Sequence, residues 1–203
     1  MTPESERKSK LVSLFDFVEF THRLQKVERI VYVPDEERWE NDAEHSYQLA
    51  MTAWYLIETN KLNLDLQKVI YFALVHDLVE AYAGDTYVFD SPEVLANKHA
   101  KEEEATKLLQ ENFPSFTSMH ELISEYEERK SPESRFVYAL DKLLPIINIY
   151  LDQGRTWQTK GITLEKLRVA KDYKATLSLE IAPYYEELIG ILEQNQHLFI
   201  GEK

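Results

Sequence analysis

The residues of this sequence that are best suited to chemistry are His76, Asp77 and Glu80, with Asp85 close behind them. They follow an apolar run at residues 69–75, and the apolar character continues past them, which predicts a single buried helix. Ionisable groups at the buried end of such a helix are costly unless something holds them. Because imidazole and carboxylate groups both bind divalent transition metals, we interpret His76 and Asp77 as candidate metal ligands. Glu80 is expected on the same helical face.

Two other segments place ionisable residues in predicted helices. Asp42 is suited to cap the start of a helix, which puts His45 at the third helical position. Asp141 lies inside a further apolar helix. Taken alone, a buried histidine is more often a satisfied core residue, and an isolated His-Asp pair is more often accidental than a metal site. The combination of His45, His76, Asp77 and Asp141 on three helices favours a metal site.

The three segments together resemble the HD superfamily of metal-dependent phosphohydrolases, in which a histidine, a His-Asp pair and a distant aspartate lie on separate helices. Residues 38–46, R-W-E-N-D-A-E-H-S, are similar to the R-x-E-N-x-x-E-H-S signature of its 5′-deoxynucleotidase branch. Residues 76–85, H-D-L-V-E-A-Y-A-G-D, are similar to the H-D-x-x-E-x-x-x-G-D signature of that branch. The branch includes the bacterial 5′-deoxynucleotidases and the eukaryotic HD-domain-containing protein 2 group. The matching segments run from about Arg23 to Asp141.

The resemblance implies one divalent metal ion held by His45, His76, Asp77 and Asp141. Two imidazoles and two carboxylates leave room for water and a phosphate oxygen around a six-coordinate ion. Such a site suits Mn²⁺, Fe²⁺ or Co²⁺ better than a closed structural zinc site, with Zn²⁺ or Mg²⁺ as alternative occupants. The ion would polarise a phosphoryl oxygen and activate a water molecule.

The same resemblance implies the catalytic and phosphate-binding residues. Residues at the positions of Glu80 and Asp85 are linked to hydrolysis in the branch, where one carboxyl group activates water and a proton is given to the leaving group. The sequence leaves open which of the two activates the water. Arg29 matches an arginine that contacts the substrate phosphate, and its planar fork suits phosphate oxygens; the alternative is a solvated arginine. Ile30 follows it where the bacterial enzymes have a tryptophan, so discrimination against ribose stays open.

The reaction implied is the hydrolysis of a nucleoside 5′-monophosphate, mainly of the 2′-deoxy type, to nucleoside and phosphate. One alternative is another HD hydrolase that acts on a cyclic-nucleotide diester or a nucleoside polyphosphate. The compact ligand set, without the extra histidines of two-metal HD phosphodiesterases, disfavours the diester. The other alternative is a non-catalytic, metal-stabilised helical adaptor. Glu80 and Asp85 disfavour the adaptor, because a structural site needs neither.

The composition limits the remaining classes of protein. With 203 residues, 44% of them hydrophobic, the chain is long enough for one HD domain over residues 1–203. It has no cysteine, no apolar run of membrane-spanning length and a polar, charged start, so we expect a cytoplasmic protein. The net charge of −13 disfavours binding to nucleic acid polymers, although local cations and a metal still allow a small phosphorylated substrate. A homodimer is a further expectation.

The spacing of apolar residues predicts an all-α fold, a compact bundle of seven or eight helices with no convincing strand and with the site between helices. The first helix is predicted to bury a stripe that includes Leu11, Leu14 and Phe15. Residues 28–42 carry a proline and no helical period, and are predicted to be a loop. The predicted helices cover residues 5–27, 42–59, 66–83, 91–112, 114–129, 131–153, 163–177 and 179–194.

Two prolines inside predicted helices have expected consequences. Pro145 stands four residues after Asp141, and it lacks the N–H group that would bond to the Asp141 carbonyl oxygen. We therefore expect a bend that aims the Asp141 carboxylate inward; the alternative is a bend that only fits the bundle. Pro183 is expected to kink the last helix.

The helix that follows Asp85 carries two further candidates. Lys98 is interpreted as a surface residue that pairs with Glu102 one turn later, and contact with the substrate is the alternative. His99 is a weaker candidate for the same contact.

Overall fold

The computed structural model describes residues 9–199. Helices make up most of it, which confirms the all-α fold class, and a small antiparallel sheet is added. The part of the first predicted helix at residues 5–8 lies outside the described residues. None of the helices within the described part is both long and apolar enough to cross a membrane. In chain order the elements are α1 (Lys10–Leu24), β1 (Glu28–Tyr32), β2 (Trp39–Asn41), α2 (Asp42–Asn60), α3 (Leu66–Val75), α4 (Glu80–Ala83), α5 (Pro92–Asn112), α6 (Thr117–Glu128), α7 (Pro132–Leu151), α8 (Arg155–Lys160), α9 (Leu164–Ala175), α10 (Ala182–Gln194) and a 3₁₀ turn (Gln196–Leu198).

The prediction of a loop at residues 28–42 was wrong. β1 and β2 pair in antiparallel fashion, with Glu28 opposite Asn41 and Tyr32 opposite Trp39. The five residues of β1 therefore face the three of β2, and the longer strand bulges. The rings of Tyr32 and Trp39 stack with their centroids 4.0 Å apart. This hairpin carries the chain from α1 into the start of α2.

The prediction of one helix running through His76 was also wrong. α3 ends at Val75, and the backbone then changes to tighter turns, in which the Glu80 N–H donates to the Asp77 carbonyl oxygen at 2.9 Å. Hydrogen bonds of this i→i−3 type separate α3 from the short α4. Gly84 ends α4 as predicted, with a φ of 75° that favours glycine.

The C-terminal part differs from the prediction in two places. α8 was not predicted; it follows Gly154, whose φ is 74°. Pro183 does not kink a helix, because α10 begins at Ala182 and the proline lies in the first turn, where its missing N–H group has no helical partner to lose. Thr163 caps the start of α9, which lies where a helix was predicted to begin.

α7 is the central element of the core. It packs against α2, α3, α6, α9, α10 and β1. Phe136 and Leu140 on this helix are fully buried, and Asp141 lies between such residues with only 2% of its surface exposed. A second, smaller core joins α1 to α5 and α6 through residues such as Phe20 and Leu109. The central helix therefore carries an ionisable group into the middle of the molecule.

Only the C-terminal part of the apolar stripe predicted for α1, at Phe20 and Leu24, is buried. Leu11, Leu14 and Phe15 are 57%, 55% and 60% exposed, whereas Phe20 is buried. On α2, the large aromatic side chain of Trp54 is likewise 48% exposed. These helices carry apolar residues on more than one face, so periodicity alone did not identify the face that packs against the core.

Candidate metal centre and its cavity

The start of α2 positions His45. Asn41, rather than the predicted Asp42, caps the helix: its side chain accepts the Glu44 N–H at 3.1 Å, and the Glu44 carboxylate accepts the Asn41 N–H at 3.1 Å. His45 is therefore the fourth helical residue rather than the third. Both His45 and Asp42 have 0% of their surface exposed.

The end of α3 positions His76. Its Nδ1 atom lies 2.9 Å from the carbonyl oxygen of Ala73, so Nδ1 carries a proton and donates it to that oxygen. The Nε2 atom is buried and faces the Asp77 carboxylate, whose Oδ2 atom lies 2.9 Å away but outside hydrogen-bonding geometry. A backbone bond at one ring nitrogen that leaves the other free is the arrangement typical of a metal-binding histidine.

The structure brings the four predicted metal ligands to one place. His45, His76 and Asp141 each offer an atom within 4.8 Å of the others. The His45 Nε2 atom lies 3.1 Å from Asp141 Oδ1. Asp77 joins the group through Oδ2, which lies 2.9 Å from His76 Nε2. We call these four residues the His-Asp cluster; their role as ligands stays a prediction.

Arg29 lies inside a group of acids. Its Nη1 atom donates to Asp77 Oδ2 at 2.7 Å and to Asp42 Oδ1 at 3.1 Å. Its Nε atom lies 3.6 Å from Glu40 Oε2, and its Nη2 atom lies 3.8 Å from Asp141 Oδ1. The guanidinium group therefore offsets several buried carboxylates at once. The phosphate-binding role predicted for Arg29 stays a prediction.

Glu40 and Asp42 belong to this site, although sequence reasoning gave neither a role in it. The Glu40 Oε2 atom lies 3.7 Å from His45 Nδ1, and neither atom has a hydrogen-bond partner in the described chain. A proton on Nδ1 directed at this carboxylate leaves Nε2 free to bind a metal. Asp42, Asp77 and Glu80 form a second acidic group with oxygens within 4.8 Å of one another. The signal that could have found both residues is their place in the first signature segment.

Unpartnered buried atoms show that the residues present fit a cation. Besides His76 Nε2 and His45 Nδ1, the buried oxygens Asp42 Oδ2 and Glu80 Oε2 lack hydrogen-bond partners in the described residues. Buried polar atoms are normally satisfied, so several such atoms in one place indicate a missing ligand. Imidazole and carboxylate groups suit a divalent transition metal, as the sequence resemblance implies.

Burial changes the ionisation of the acids that surround the cluster. It raises the pKa of Glu80 well above its usual value, and the nearby charges of Asp77 and Asp85 act in the same direction. Burial also raises the pKa of Asp85. It raises the pKa of Asp42 to about 7 and that of Glu40 to about 7. These shifts express the cost of placing many carboxylates in one poorly hydrated space.

The two histidines differ in ionisation. Burial lowers the pKa of His45 to about 4, so at neutral pH this side chain is the neutral imidazole that binds metals. Burial acts in the same direction on His76, but the neighbouring Asp77 charge outweighs it and raises the pKa of His76. Burial opposes ionisation of Asp77, yet His76 and Arg29 outweigh it and hold the pKa of Asp77 below its usual range.

A cavity of about 280 Å³ opens beside the cluster. His76 and Asp141 line it, and so do the predicted catalytic residues Glu80 and Asp85 and the predicted phosphate-binding Arg29. Its volume is near the lower end, roughly 300 Å³, of the range for small-molecule pockets. Every predicted site residue except His45 therefore lines this one cavity, whose size suits a small ligand.

Basic residues line the same cavity. Lys98 reaches it, with Nζ 3.9 Å from Glu80 Oε1 and 2.9 Å from Glu102 Oε1, so it both forms the predicted pair and lies beside the site. His99 is exposed and is not part of the cavity lining. Sequence reasoning missed three further lysines that line the cavity: Lys142, Lys171 and Lys174.

Comparison with protein families agrees with this geometry. The family model described as HD domain matches residues 21–180. The chain therefore belongs to the HD-domain family. The matched range contains the whole His-Asp cluster together with Arg29, Glu80 and Asp85.

Individual relatives extend the match. The chain is 34% identical to human 5′-deoxynucleotidase HDDC2 over 134 residues. The aligned region covers 64% of this chain and 63% of the human protein, so the chain spans less than two thirds of that relative's length. It is 29% identical over 199 residues to the zebrafish protein of the same name, covering 93% of this chain and 92% of the relative. Among solved structures, a "predicted metal-dependent phosphohydrolase" from Magnetospirillum magnetotacticum MS-1 is similar, with 29% identity, a TM-score of 0.81, and 99% and 100% of the two chains covered.

Proposed function

We propose that this protein is a metal-dependent phosphohydrolase that hydrolyses nucleoside 5′-monophosphates, mainly of the 2′-deoxy type, to nucleoside and phosphate. The observation that carries the proposal is the meeting of His45, His76, Asp77 and Asp141 beside a cavity lined by further acids and cations. Similarity to proteins named 5′-deoxynucleotidase and to a structure described as a phosphohydrolase supports the same class of activity.

The proposed metal ligands are the four residues of the His-Asp cluster. Two imidazoles and two carboxylates suit Mn²⁺, Fe²⁺ or Co²⁺, with Zn²⁺ or Mg²⁺ as alternatives. When bound, the ion supplies Lewis-acid chemistry toward the phosphoryl group. Glu40 supports this assignment, because its carboxylate stands behind His45 Nδ1 and can fix the orientation of that ring.

Glu80 and Asp85 are the proposed acid–base residues. Both line the cavity, and the buried Glu80 Oε2 atom has no partner among the described residues. One carboxylate takes a proton from the attacking water while the bond between phosphorus and the 5′ oxygen breaks. The leaving alkoxide then receives a proton from the other carboxyl group or from solvent. Arg29 offsets the negative charge that develops on the phosphoryl oxygens.

Apolar and aromatic side chains supply the surface for the base and the sugar. Ile30, Tyr87, Phe89 and Leu95 line the cavity, and the rings of Tyr87 and Phe89 meet edge to face at 5.3 Å. Such a wall suits a flat nucleobase. Ile30 is smaller than the tryptophan that the bacterial branch has after its arginine. We therefore expect weaker exclusion of the ribose 2′-hydroxyl than in members with tryptophan.

A phosphate-release assay on a nucleotide panel tests the proposal. Purified protein with added Mn²⁺ should release phosphate from dAMP, and its kcat/KM for dAMP should exceed that for AMP by less than about 10²-fold, the discrimination a simple apolar contact provides. Ile30→Trp should raise this ratio. Phosphate or nucleotide products only from cyclic diesters or nucleoside triphosphates would contradict the proposed substrate class.

We also propose that residues 1–203 form one HD domain and that the protein acts as a cytoplasmic homodimer. The lack of cysteine is consistent with a reducing compartment. Exposed side chains on α2 and α3, two helices that pack against each other, support a second copy as partner. Tyr47, Tyr55 and Leu74 are 68%, 65% and 50% exposed. A mass of one chain in light scattering would contradict the dimer.

A further inference from the structure

Two lysines of α9 line the cavity without a carboxylate partner. Within residues 9–199, neither Lys171 nor Lys174 forms an ion pair or a side-chain hydrogen bond, and both are partly buried. The chain has 36 acidic residues against 23 basic ones, so acids are available to pair with most cations. Two unpaired lysines in a cavity of such a chain therefore need an explanation.

The other lysines and arginines of the cavity wall, by contrast, have carboxylate partners. Lys98 pairs with Glu102 at 2.9 Å, and Lys142 pairs with Asp141 at 2.5 Å. Arg129 also has a carboxylate partner, at 3.2 Å. Arg29 contacts several acids of the site. The cationic groups that stay free to meet a ligand are those on α9.

The position of the two lysines places them beside the His-Asp cluster. α9 packs against α7, and Lys171 and Lys174 stand three residues apart on one face of it. Lys142 on α7 lies between the His-Asp cluster and the two lysines, because its Nζ atom pairs with Asp141 and its charge acts on Lys171. Burial, together with the charge of Lys142, lowers the pKa of Lys171 to about 7. An anion in the cavity would offset these mutually repelling cations.

We propose that Lys171 and Lys174 form a lysine wall that binds the phosphate dianion of the substrate, while Lys142 stays paired with Asp141 beside them. This inference rests on the proposed function for the identity of the phosphate as a nucleotide phosphate. A phosphate monoester carries between one and two negative charges at neutral pH, and lysine binds it as a compact positive charge. Because Arg29 is shared with several carboxylates, the lysine wall adds to the positive charge that Arg29 offers an incoming phosphate.

The test compares Lys171→Met and Lys174→Met with Lys166→Met, which alters an exposed lysine of the same helix. Binding of inorganic phosphate to the purified protein is measured by calorimetry. Both cavity variants should bind phosphate about tenfold or more weakly, the usual scale for a lost hydrogen bond to a charged group. Lys166→Met should bind it like the unchanged protein.

Thermal unfolding adds a readout that a merely structural lysine would move the other way. In phosphate-free buffer Lys171→Met should melt about 2 °C or more above the unchanged protein, because a partly buried, unpaired cation has been removed. The rise in melting temperature caused by added phosphate should shrink in the same variant. A lower melting temperature with an unchanged phosphate effect would overturn the inference.

One further variant and one further ligand separate this inference from the proposed function. Lys171→Arg should restore most of the phosphate affinity, and Lys171→Met should bind 2′-deoxyadenosine, which has no phosphate, as before. Unchanged phosphate affinity in both lysine-to-methionine variants overturns the lysine wall even if the unchanged protein hydrolyses dAMP. Lysine-dependent phosphate binding in a protein that releases no phosphate from nucleotides supports the wall and removes the proposed function instead.

Discussion

The His-Asp cluster, through His76, Asp77 and Asp141, lines the same cavity as the lysine wall, but the side chains of the two regions are held in different ways. His45 and Asp141 are buried, with Nε2 and Oδ1 3.1 Å apart, and a backbone oxygen fixes the ring of His76. Lys171 and Lys174 are long, partly buried and unpaired within the described chain. The cluster therefore depends on the positions of its atoms, whereas the wall contributes positive charge from flexible side chains. Substitutions in the two regions should therefore have different effects: loss of bound metal for the cluster and loss of phosphate affinity for the wall.

The largest effect is expected from the cluster. His76→Ala and Asp141→Ala should each remove the bound metal and reduce turnover to background, because the remaining groups cannot complete the site. Metal content and phosphate release from dAMP are measured together. Lys171→Met is the matched comparison and should keep its metal. One equivalent of transition metal retained in either cluster variant would contradict the ligand assignment.

Glu80 should separate chemistry from metal binding. Glu80→Gln is expected to keep the metal and the nucleotide but to lower kcat by about 10²-fold or more, the usual contribution of an acid–base group. Glu103→Gln, an exposed glutamate of α5, is the control for the change of charge. Full turnover in Glu80→Gln would remove this residue from the mechanism and leave Asp85 as the remaining candidate.

A substitution of Arg29 tests how far this cation stabilises the buried acids of the site. Arg29→Ala removes the cation shared by buried carboxylates, so the free energy of unfolding of the metal-free protein should fall by about 3 kcal/mol or more, as for a broken buried ion pair. Urea denaturation measures this, and phosphate release should fall as well. Added Mn²⁺ should recover part of the lost stability, because it also offsets the acids. An unchanged urea midpoint would show that these contacts contribute little.

Pro145 should give the smallest effect. It lies inside α7, is buried and lines the cavity four residues after Asp141. Pro145→Ala should weaken metal binding by less than about tenfold, below the full effect of losing a group that orients a ligand. Far-ultraviolet circular dichroism should show an intact helix, since the change restores a backbone N–H group. An unchanged metal dissociation constant would reduce this proline to a packing residue.

The helices were the predictable part of the fold, because their starts carry local signals. Ser91 and Ser131 cap α5 and α7 and are each followed by a proline in the first turn, as expected. The hairpin was missed because its strands are only five and three residues long and give little alternation. The break after Val75 was missed because apolar residues continue across it, and a change to tighter backbone bonds leaves no mark on composition.

The candidate site was predictable where its residues stand in short motifs. His45, His76 and Asp77 occur in the two signature segments, and the structure brings them together with Asp141. Lys171 and Lys174 have no motif, and they reach the cavity only because α9 packs against α7. The contacts of Arg29 with the acids around it could not be predicted for a similar reason. Its contact with Asp77, for example, joins residues 48 positions apart in the chain.

The close approach of His45 and Asp141 brings together residues 96 positions apart, and this separation bears on how the chain folds. Closing so long a loop costs conformational entropy, and contacts of this kind form slowly compared with those inside a helix. We therefore expect the two halves of the candidate metal centre to come together late, after the helices that carry them. Until then their carboxylates are hydrated and far apart, so the electrostatic repulsion between them arises only in the final stage of collapse. Folding of the core and assembly of the centre are thus one event, completed when α2 docks on α7.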